Sequence, residues 1–180
     1  MKRVLITLIV ILMFAGSLPL QPSSSAQETE SLRGLEFDTF LDASFTAILL
    51  RDPEAVVQLG LTEPLGMEEI SLTNVSDEYV QETYALYAEI LKILREYDRS
   101  ALTADQQLSY DIYEWYLDDV LRGQEFQYYN YPVTYHLNGI QNLTAYFFLE
   151  AHPLNSREDA ENYITRLTLV DDKFGQLLGR

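Results

Sequence analysis

The sequence predicts an all-α fold of helical hairpins that form an N-terminal lobe, with one extended aromatic segment crossing it. Through most of the 180 residues, apolar side chains recur at the three- and four-residue spacing of one helix face. Several of these runs begin at a residue that commonly caps a helix. Residues 128–135 depart from the pattern, because aromatic and β-branched residues around Pro132 favour an extended chain there.

The first two helices are predicted from an apolar stripe and from a start signal. Asp52 is a suitable N-cap with Pro53 at the first helical position, so the first helix should end near Arg51 and a short second one should run to Gly60. Residues 62–74 mix proline, glycine and irregular polarity, which predicts a loop. The stripe of the first helix comprises Phe37, Phe40, Leu41, Ser44, Phe45, Ile48 and Leu49.

Two long helices follow and should pack as an antiparallel hairpin. Ser76 or Asp77 caps the first of them. The second begins at Thr103, where Gln106 completes a capping box, and it ends at Gly123. The core-facing residues predicted for the first are Val80, Tyr84, Tyr87, Leu91 and Leu94, widened by Tyr79, Leu86, Ile90 and Ile93. Those predicted for the second are Leu108, Ile112, Trp115, Tyr116, Val120 and Leu121.

The last third of the chain is predicted to contain the extended segment and two more helices. Residues 128–135 should be extended, and a brief helix should follow over residues 143–150. A final helix is predicted from Ser156 to about Leu178.

The N-terminus has the pattern of a secretory signal peptide, residues 1–26. Lys2 and Arg3 precede an apolar run over residues 4–16, and small residues up to Ala26 provide a cleavage site. The competing interpretation is an uncleaved anchor, although the apolar run is shorter than the ~20 residues of a spanning helix. Cleavage near Ala26 predicts an extracytoplasmic protein, periplasmic or secreted. A polar leader, residues 27–34, then precedes one helical domain, residues 35–180.

The charge balance excludes some partners. The formal net charge is -16, and removal of the signal segment makes the chain more acidic still, since that segment holds two basic residues and no acid. A phosphate backbone or an anionic membrane face needs clustered Lys and Arg, so we expect no nucleic-acid partner and no membrane contact beyond the signal segment. The acidity serves either solubility or the attraction of cationic peptides. With no cysteine, the chain cannot form disulfides or thiolate metal sites.

No recognised catalytic motif is present. His136 and His152 are the only histidines, and the sequence lacks His-Glu-x-x-His, in which two imidazoles one helical turn apart hold zinc. Adjacent acids such as Asp118 and Asp119 are more typical of a solvated face than of acid/base catalysis. There is also no Gly-x-Ser-x-Gly elbow and no glycine-rich phosphate loop. We therefore predict no catalytic residue, no metal ligand and no cofactor in this chain.

The best candidate for ligand contact is the segment of residues 128–141. Tyr135, His136, Gly139 and Gln141 lie in or beside its non-helical part, and such residues offer stacking faces and hydrogen bonds to a ligand. The alternative is a structural crossing, in which the tyrosines pack on the helical hairpin with their hydroxyls in water and Gly139 supplies a turn. The residues themselves leave both interpretations open.

Short motifs also follow one another in a definite order: Phe37-Asp38-Thr39-Phe40-Leu41, Arg51-Asp52-Pro53-Glu54-Ala55, Leu59-Gly60-Leu61, Leu102-Thr103, Gln107-Leu108-Ser109-Tyr110-Asp111, Gly139-Ile140-Gln141 and His152-Pro153-Leu154. In order and spacing they resemble the N-terminal part of the bacterial family catalogued as domain of unknown function 885 (DUF885). Its full-length members look like helical zinc metallopeptidases with a His-Glu-x-x-His far downstream. The resemblance implies that Gly139, Gln141 and His152 match positions lining a substrate cleft, and that zinc belongs only to a full-length parent.

Two functional hypotheses follow. In the first, the chain is the N-terminal lobe of an exported zinc-dependent peptidase-like protein, truncated at Arg180, whose partners are a peptide substrate and the missing C-terminal catalytic lobe. Such a lobe alone should be inactive. In the second, it is a complete, non-enzymatic helical module that binds a peptide, glycan or protein through the tyrosine-rich segment.

Overall fold

The computed structural model describes residues 29–129, 131–135 and 138–179, and this part of the chain contains helices and no strand. The predicted all-α class is therefore confirmed. None of the described helices is both long enough and apolar enough to cross a bilayer. The α-helices are α1 (Phe37–Leu49), α2 (Pro53–Gln58), α3 (Asp77–Leu94), α4 (Ala104–Gly123), α5 (Ile140–Tyr146), α6 (Arg157–Leu167) and α7 (Val170–Leu178).

Side-chain caps fix the helix starts that the sequence predicts. The Asp52 carboxylate accepts a hydrogen bond from the backbone N–H of Ala55 at 3.1 Å, at the start of α2. Ser76 caps α3, and Thr103 begins α4 with the reciprocal capping box that involves Gln106. Each cap satisfies N–H groups that the first helical turn leaves without partners. These predicted boundaries are confirmed.

Helices α3 and α4 form the predicted antiparallel hairpin. Near its open end, Gln124 donates to Gln81 at 3.0 Å. Toward the connection, Arg95 forms ion pairs with Glu114 and Asp118, both at 2.7 Å. Helix α1 packs on this hairpin, and the main core lies between them. It comprises Leu32, Phe37, Phe40, Leu86, Ile90, Leu91, Ile93, Leu94, Tyr110 and Leu117.

The face of α4 that enters this core differs from the predicted one. Leu108, Ile112 and Trp115 are 61%, 58% and 64% exposed, whereas Tyr110 and Leu117 are buried. Tyr116 is also exposed, and Val120 and Leu121 are half-buried. The prediction failed because α4 carries apolar residues on two nearly opposite sides, and periodicity does not say which side meets a partner.

The leader also takes part in the core. Leu32 is 3% exposed within the main core, and the Arg33 guanidinium contacts the carboxylates of Glu89 and Glu96 on and just after α3. Residues 29–34 therefore pack against the helical domain. Residues 1–28, which include the predicted signal segment and its cleavage site, lie outside the described residues.

A smaller second core joins α2 to the end of the chain. Val57 packs with Phe147 and Phe148, and the half-buried Tyr163 and Val170 surround them. An ion pair between Glu54 and Lys173 connects α2 to α7 beside this cluster. The Glu54 side chain is 13% exposed and the Lys173 side chain 5%. The same carboxylate accepts from the Thr73 backbone N–H at 3.2 Å.

Three further boundaries differ from the prediction. The final helix is two helices, because a turn at residues 168–169 redirects the chain so that Lys173 reaches Glu54. Helix α5 starts at Ile140 rather than near residue 143, and it continues into a π-helical turn, Phe147–Ala151. Residues 128–129 form a turn after the 3₁₀ helix Gln124–Phe126 rather than an extended chain. No proline or glycine marks the break at residues 168–169, whereas Gly139 directly precedes the start of α5.

Candidate functional site

The tyrosine-rich segment lies on the surface. Tyr129, Tyr131 and Tyr135 are 79%, 85% and 89% exposed. Tyr129 and Tyr131 line a shallow cavity of about 520 Å³, together with Pro132 and Leu143 among others. These three rings are therefore largely in solvent, whereas the Tyr128 hydroxyl, at the start of the segment, donates to Asp77 on α3 at 3.2 Å. Exposed aromatic rings of this kind are suited to stacking against a ligand or a second protein surface.

Gly139 is held against this segment by close packing. It is buried and precedes α5, and the N–H of the next residue, Ile140, donates to the Pro132 carbonyl at 2.9 Å. A Cβ atom on Gly139 would lie 2.4 Å from the Thr134 carbonyl oxygen and 2.7 Å from Oε1 of Gln141. Its φ of -67° is ordinary, so glycine is required here for space rather than for backbone conformation.

Gln141 also contacts the segment of residues 131–135. Its Nε2 donates to the Thr134 carbonyl, and its Oε1 is buried without a partner among the described residues. Thr144 Oγ1, one turn later on α5, is likewise buried and unpartnered. The structure thus brings Tyr135, Gly139 and Gln141 into one neighbourhood around Thr134. His136, the other candidate in this segment, lies outside the described residues.

His152 occupies a different place, at the end of the π-helical turn. It is 8% exposed, and Phe147, Phe148 and Tyr163 surround its ring at centroid distances of 5.2 to 6.5 Å. Nδ1 lies 2.8 Å from the Pro153 carbonyl oxygen, which accepts only if Nδ1 carries the proton. Burial chiefly, with the positive charge of Arg166, lowers the pKa of His152, so the neutral ring is favoured.

Arg166 is the partner of His152, and the sequence analysis missed it. Its Nη1 lies 2.8 Å from His152 Nε2, the nitrogen left to accept, and its Nε donates to the Ser71 carbonyl at 3.2 Å. Arg166 is only 3% exposed, and burial lowers its pKa. A possible signal was its position three residues after Tyr163 on the inward stripe of α6, where a basic residue is unusual.

His152 and Arg166 line a cavity of about 630 Å³, and the described residues 131–135 and 138–141 do not line it. The opposite wall comes from the loop after α2, including Glu63 and Glu68. The predicted site residues therefore fall into two groups, one on the tyrosine-rich surface and one at this cavity.

Within the described residues, neither group supplies the ligands of a zinc ion. Across the described residues, no three His, Cys, Asp or Glu side chains are placed to hold a metal. His152 is the one described histidine, and both of its ring nitrogens already have hydrogen-bond partners. Zinc sites in proteins use three or four such ligands.

Comparison with known proteins adds one finding. The model of the family described as "Bacterial protein of unknown function (DUF885)" matches residues 53–180. The match includes α2 to α7, the tyrosine-rich segment and the cavity of His152 and Arg166. Neither the curated proteins nor the solved structures contain a match to the chain.

Proposed function

Because this chain belongs to the DUF885 family of bacterial proteins, we propose that it is the N-terminal, non-catalytic lobe of an exported, zinc-dependent peptidase-like hydrolase. The family match carries this proposal, since it extends over 128 of the 180 residues, from position 53 to position 180. The catalytic residues and the zinc would then belong to sequence downstream of this lobe. The lobe itself would contribute substrate contacts and a docking surface.

The exposed face of α4 supports a second lobe. Leu108, Ile112 and Trp115 form a continuous stripe at helical spacing, and each is more than half exposed. Exposed apolar stripes of this kind usually mark an interaction surface, with Trp the residue most enriched in energetic anchors. A catalytic lobe packed on α4 would remove this stripe from water.

The tyrosine-rich surface supports contact with a peptide. Exposed rings at Tyr131 and Tyr135 stand beside a segment that Gly139 and Gln141 hold in place. Peptides bind to such surfaces through ring stacking and main-chain hydrogen bonds. The predicted signal segment supports export, which would bring the lobe to peptides outside the cytoplasm.

The decisive experiment is to sequence the DNA on the 3′ side of the Arg180 codon in the source material. We expect an open frame that continues to a His-Glu-x-x-His motif. The protein expressed from that longer frame should hydrolyse peptides, lose activity with a chelator and regain it with zinc. A stop codon directly after Arg180 contradicts the proposal.

A second candidate function is that of a non-enzymatic binding module. The exposure of Tyr129, Tyr131 and Tyr135 favours it, because three open rings on one segment suit a peptide, glycan or protein partner without any catalytic lobe. A finished module should unfold cooperatively and stay monodisperse, whereas a lobe with an uncovered apolar face should associate. Analytical ultracentrifugation together with a thermal melt separates the two.

A further inference from the structure

The cavity of His152 and Arg166 contains a charge without a counter-ion. Arg166 is 97% buried, yet within the described residues no carboxylate forms an ion pair with it. Its hydrogen-bond partners, the Ser71 carbonyl and His152 Nε2, are both neutral. The carboxylate whose charge raises the pKa of Arg166, that of Glu54, is already in contact with Lys173. Buried charges in proteins are normally paired, because desolvation is costly.

The free part of the guanidinium is suited to an anion. Of its five N–H groups, one on Nε and one on Nη1 are engaged within the protein. Both N–H groups of Nη2 and the second N–H group of Nη1, here called the fork, have no acceptor among the described residues, and Arg166 lines the cavity. This fork matches the two oxygens of a carboxylate. His152 is a positioning residue, since it accepts from Nη1 and holds the plane of the guanidinium.

Acidic side chains in the cavity lining disfavour the binding of a simple anion. Glu63, Glu68, Glu69 and Glu158 line the same cavity, and all four are exposed. None of the four forms an ion pair within the described part of the chain. Asp159 is also present, but its carboxylate caps α6 through the N–H groups of residues 155 and 156. These four glutamate side chains, here called the glutamate rim, would repel a doubly charged phosphate and attract a positively charged group.

A ligand with a negative group for Arg166 and a positive group for the glutamate rim would match both parts of the cavity. We infer that the cavity binds the C-terminal residue of a peptide ending in lysine or arginine, with its carboxylate on Arg166 and its basic side chain at the glutamate rim. This inference rests on the proposed function for the choice of a peptide and names its substrate class. The volume of about 630 Å³ falls in the range of small-ligand sites and accommodates one or two residues. Free lysine carries the same two charges, and the test distinguishes it from a peptide.

The test is isothermal titration calorimetry of the purified protein with Ala-Ala-Lys. We expect the free acid to bind at least about tenfold more tightly than its C-terminal amide, because the amide cannot form charge-assisted hydrogen bonds with the fork. Ala-Ala-Ala should bind more weakly than Ala-Ala-Lys, and inorganic phosphate should not compete. Free lysine binding as tightly as the tripeptide would also support the site and would identify an amino acid as the ligand.

Rim variants give a test that does not depend on changing the buried arginine. Glu69→Gln with Glu158→Gln alters two exposed side chains and should weaken Ala-Ala-Lys about threefold or more, without affecting Ala-Ala-Ala. Arg122→Gln, which removes an exposed arginine paired with Asp119 and outside the cavity lining, is the matched control and should change nothing. Equal binding of acid and amide, or no binding at all, overturns the inference.

The binding experiment and the sequencing of the frame after Arg180 can succeed or fail separately. If the frame continues to His-Glu-x-x-His while acid and amide bind alike, the proposed function stands and the cavity assignment fails. If the frame stops after Arg180 while the acid binds selectively, the cavity assignment stands in a binding module.

Discussion

The strongest prediction concerns the face that α4 turns to the core. Leu117 is fully buried, whereas Leu108 on the same helix is 61% exposed, although the apolar pattern predicted Leu108 to face inward. We expect Leu117→Ala to lower the free energy of unfolding by about 3–5 kcal/mol. Loss of three buried carbons accounts for about 2.4 kcal/mol, at about 0.8 kcal/mol each, and the cavity left among packed neighbours adds the rest.

Leu108→Ala is the matched substitution on the other face. The side chain of Leu108 has only about two fifths of its surface buried, so about 1 kcal/mol of burial is lost. The greater helix propensity of alanine offsets part of this, which leaves a change of about 0.5 kcal/mol. Urea denaturation followed by far-UV circular dichroism measures both variants. Equal losses, or a larger loss for Leu108→Ala, would refute the assignment of the buried face.

Three further predictions test the two candidate sites and the ion pair that joins α2 to α7. Gly139→Ala should destabilise the protein by about 1–3 kcal/mol, because its Cβ meets the Thr134 carbonyl at 2.4 Å; an unchanged melting temperature would contradict this packing. Burial lowers the pKa of His152, so the free energy of unfolding should fall as pH drops below about 6.5. The loss should be at most about 1.4 kcal/mol per pH unit. Urea titrations of His152→Gln at several pH values should lack this component of the pH dependence. Glu54→Gln should cost about 3–5 kcal/mol by leaving the Lys173 ammonium buried and unpaired, and adding Lys173→Met should recover much of that loss in the same assay.

The sign of the pH effect on stability follows from the direction in which folding shifts the pKa of His152. The unfolded chain binds a proton on His152 near the ordinary pKa, whereas the folded chain binds it only at lower pH. The stabilisation is complete above the unfolded pKa and is lost as pH falls toward the folded one. Carboxylates titrate at still lower pH, and the comparison with His152→Gln separates the effect of this histidine from any effect of His136.

Local signals were sufficient to predict most of the helix starts. Asp52, Ser76 and Thr103 cap their helices through residues three positions away, so a short stretch of sequence contains the whole interaction. The break near residue 168 could not be predicted in this way. After the break, Lys173 contacts Glu54, a residue 119 positions earlier, and nothing within α6 or α7 identifies that partner.

The candidate sites show the same limit. Gly139 and Gln141 attracted interest by composition, and they lie together because they are neighbours in the chain. Arg166 went unnoticed because its role comes from Ser71, 95 positions away, and from the loop after α2. An exposed arginine and a buried one look alike in a single sequence, since the same helical spacing is compatible with either.

The unequal size of the two cores has a consequence for local unfolding. Among the described residues, ten buried apolar side chains hold α1, α3 and α4 together, whereas three, Val57, Phe147 and Phe148, form the cluster beside His152. Amide hydrogens in α5 and α6 should therefore exchange with solvent through partial openings that leave the hairpin intact. A ligand bound at Arg166 would close those openings, and slowed exchange confined to the smaller core would report its occupancy residue by residue.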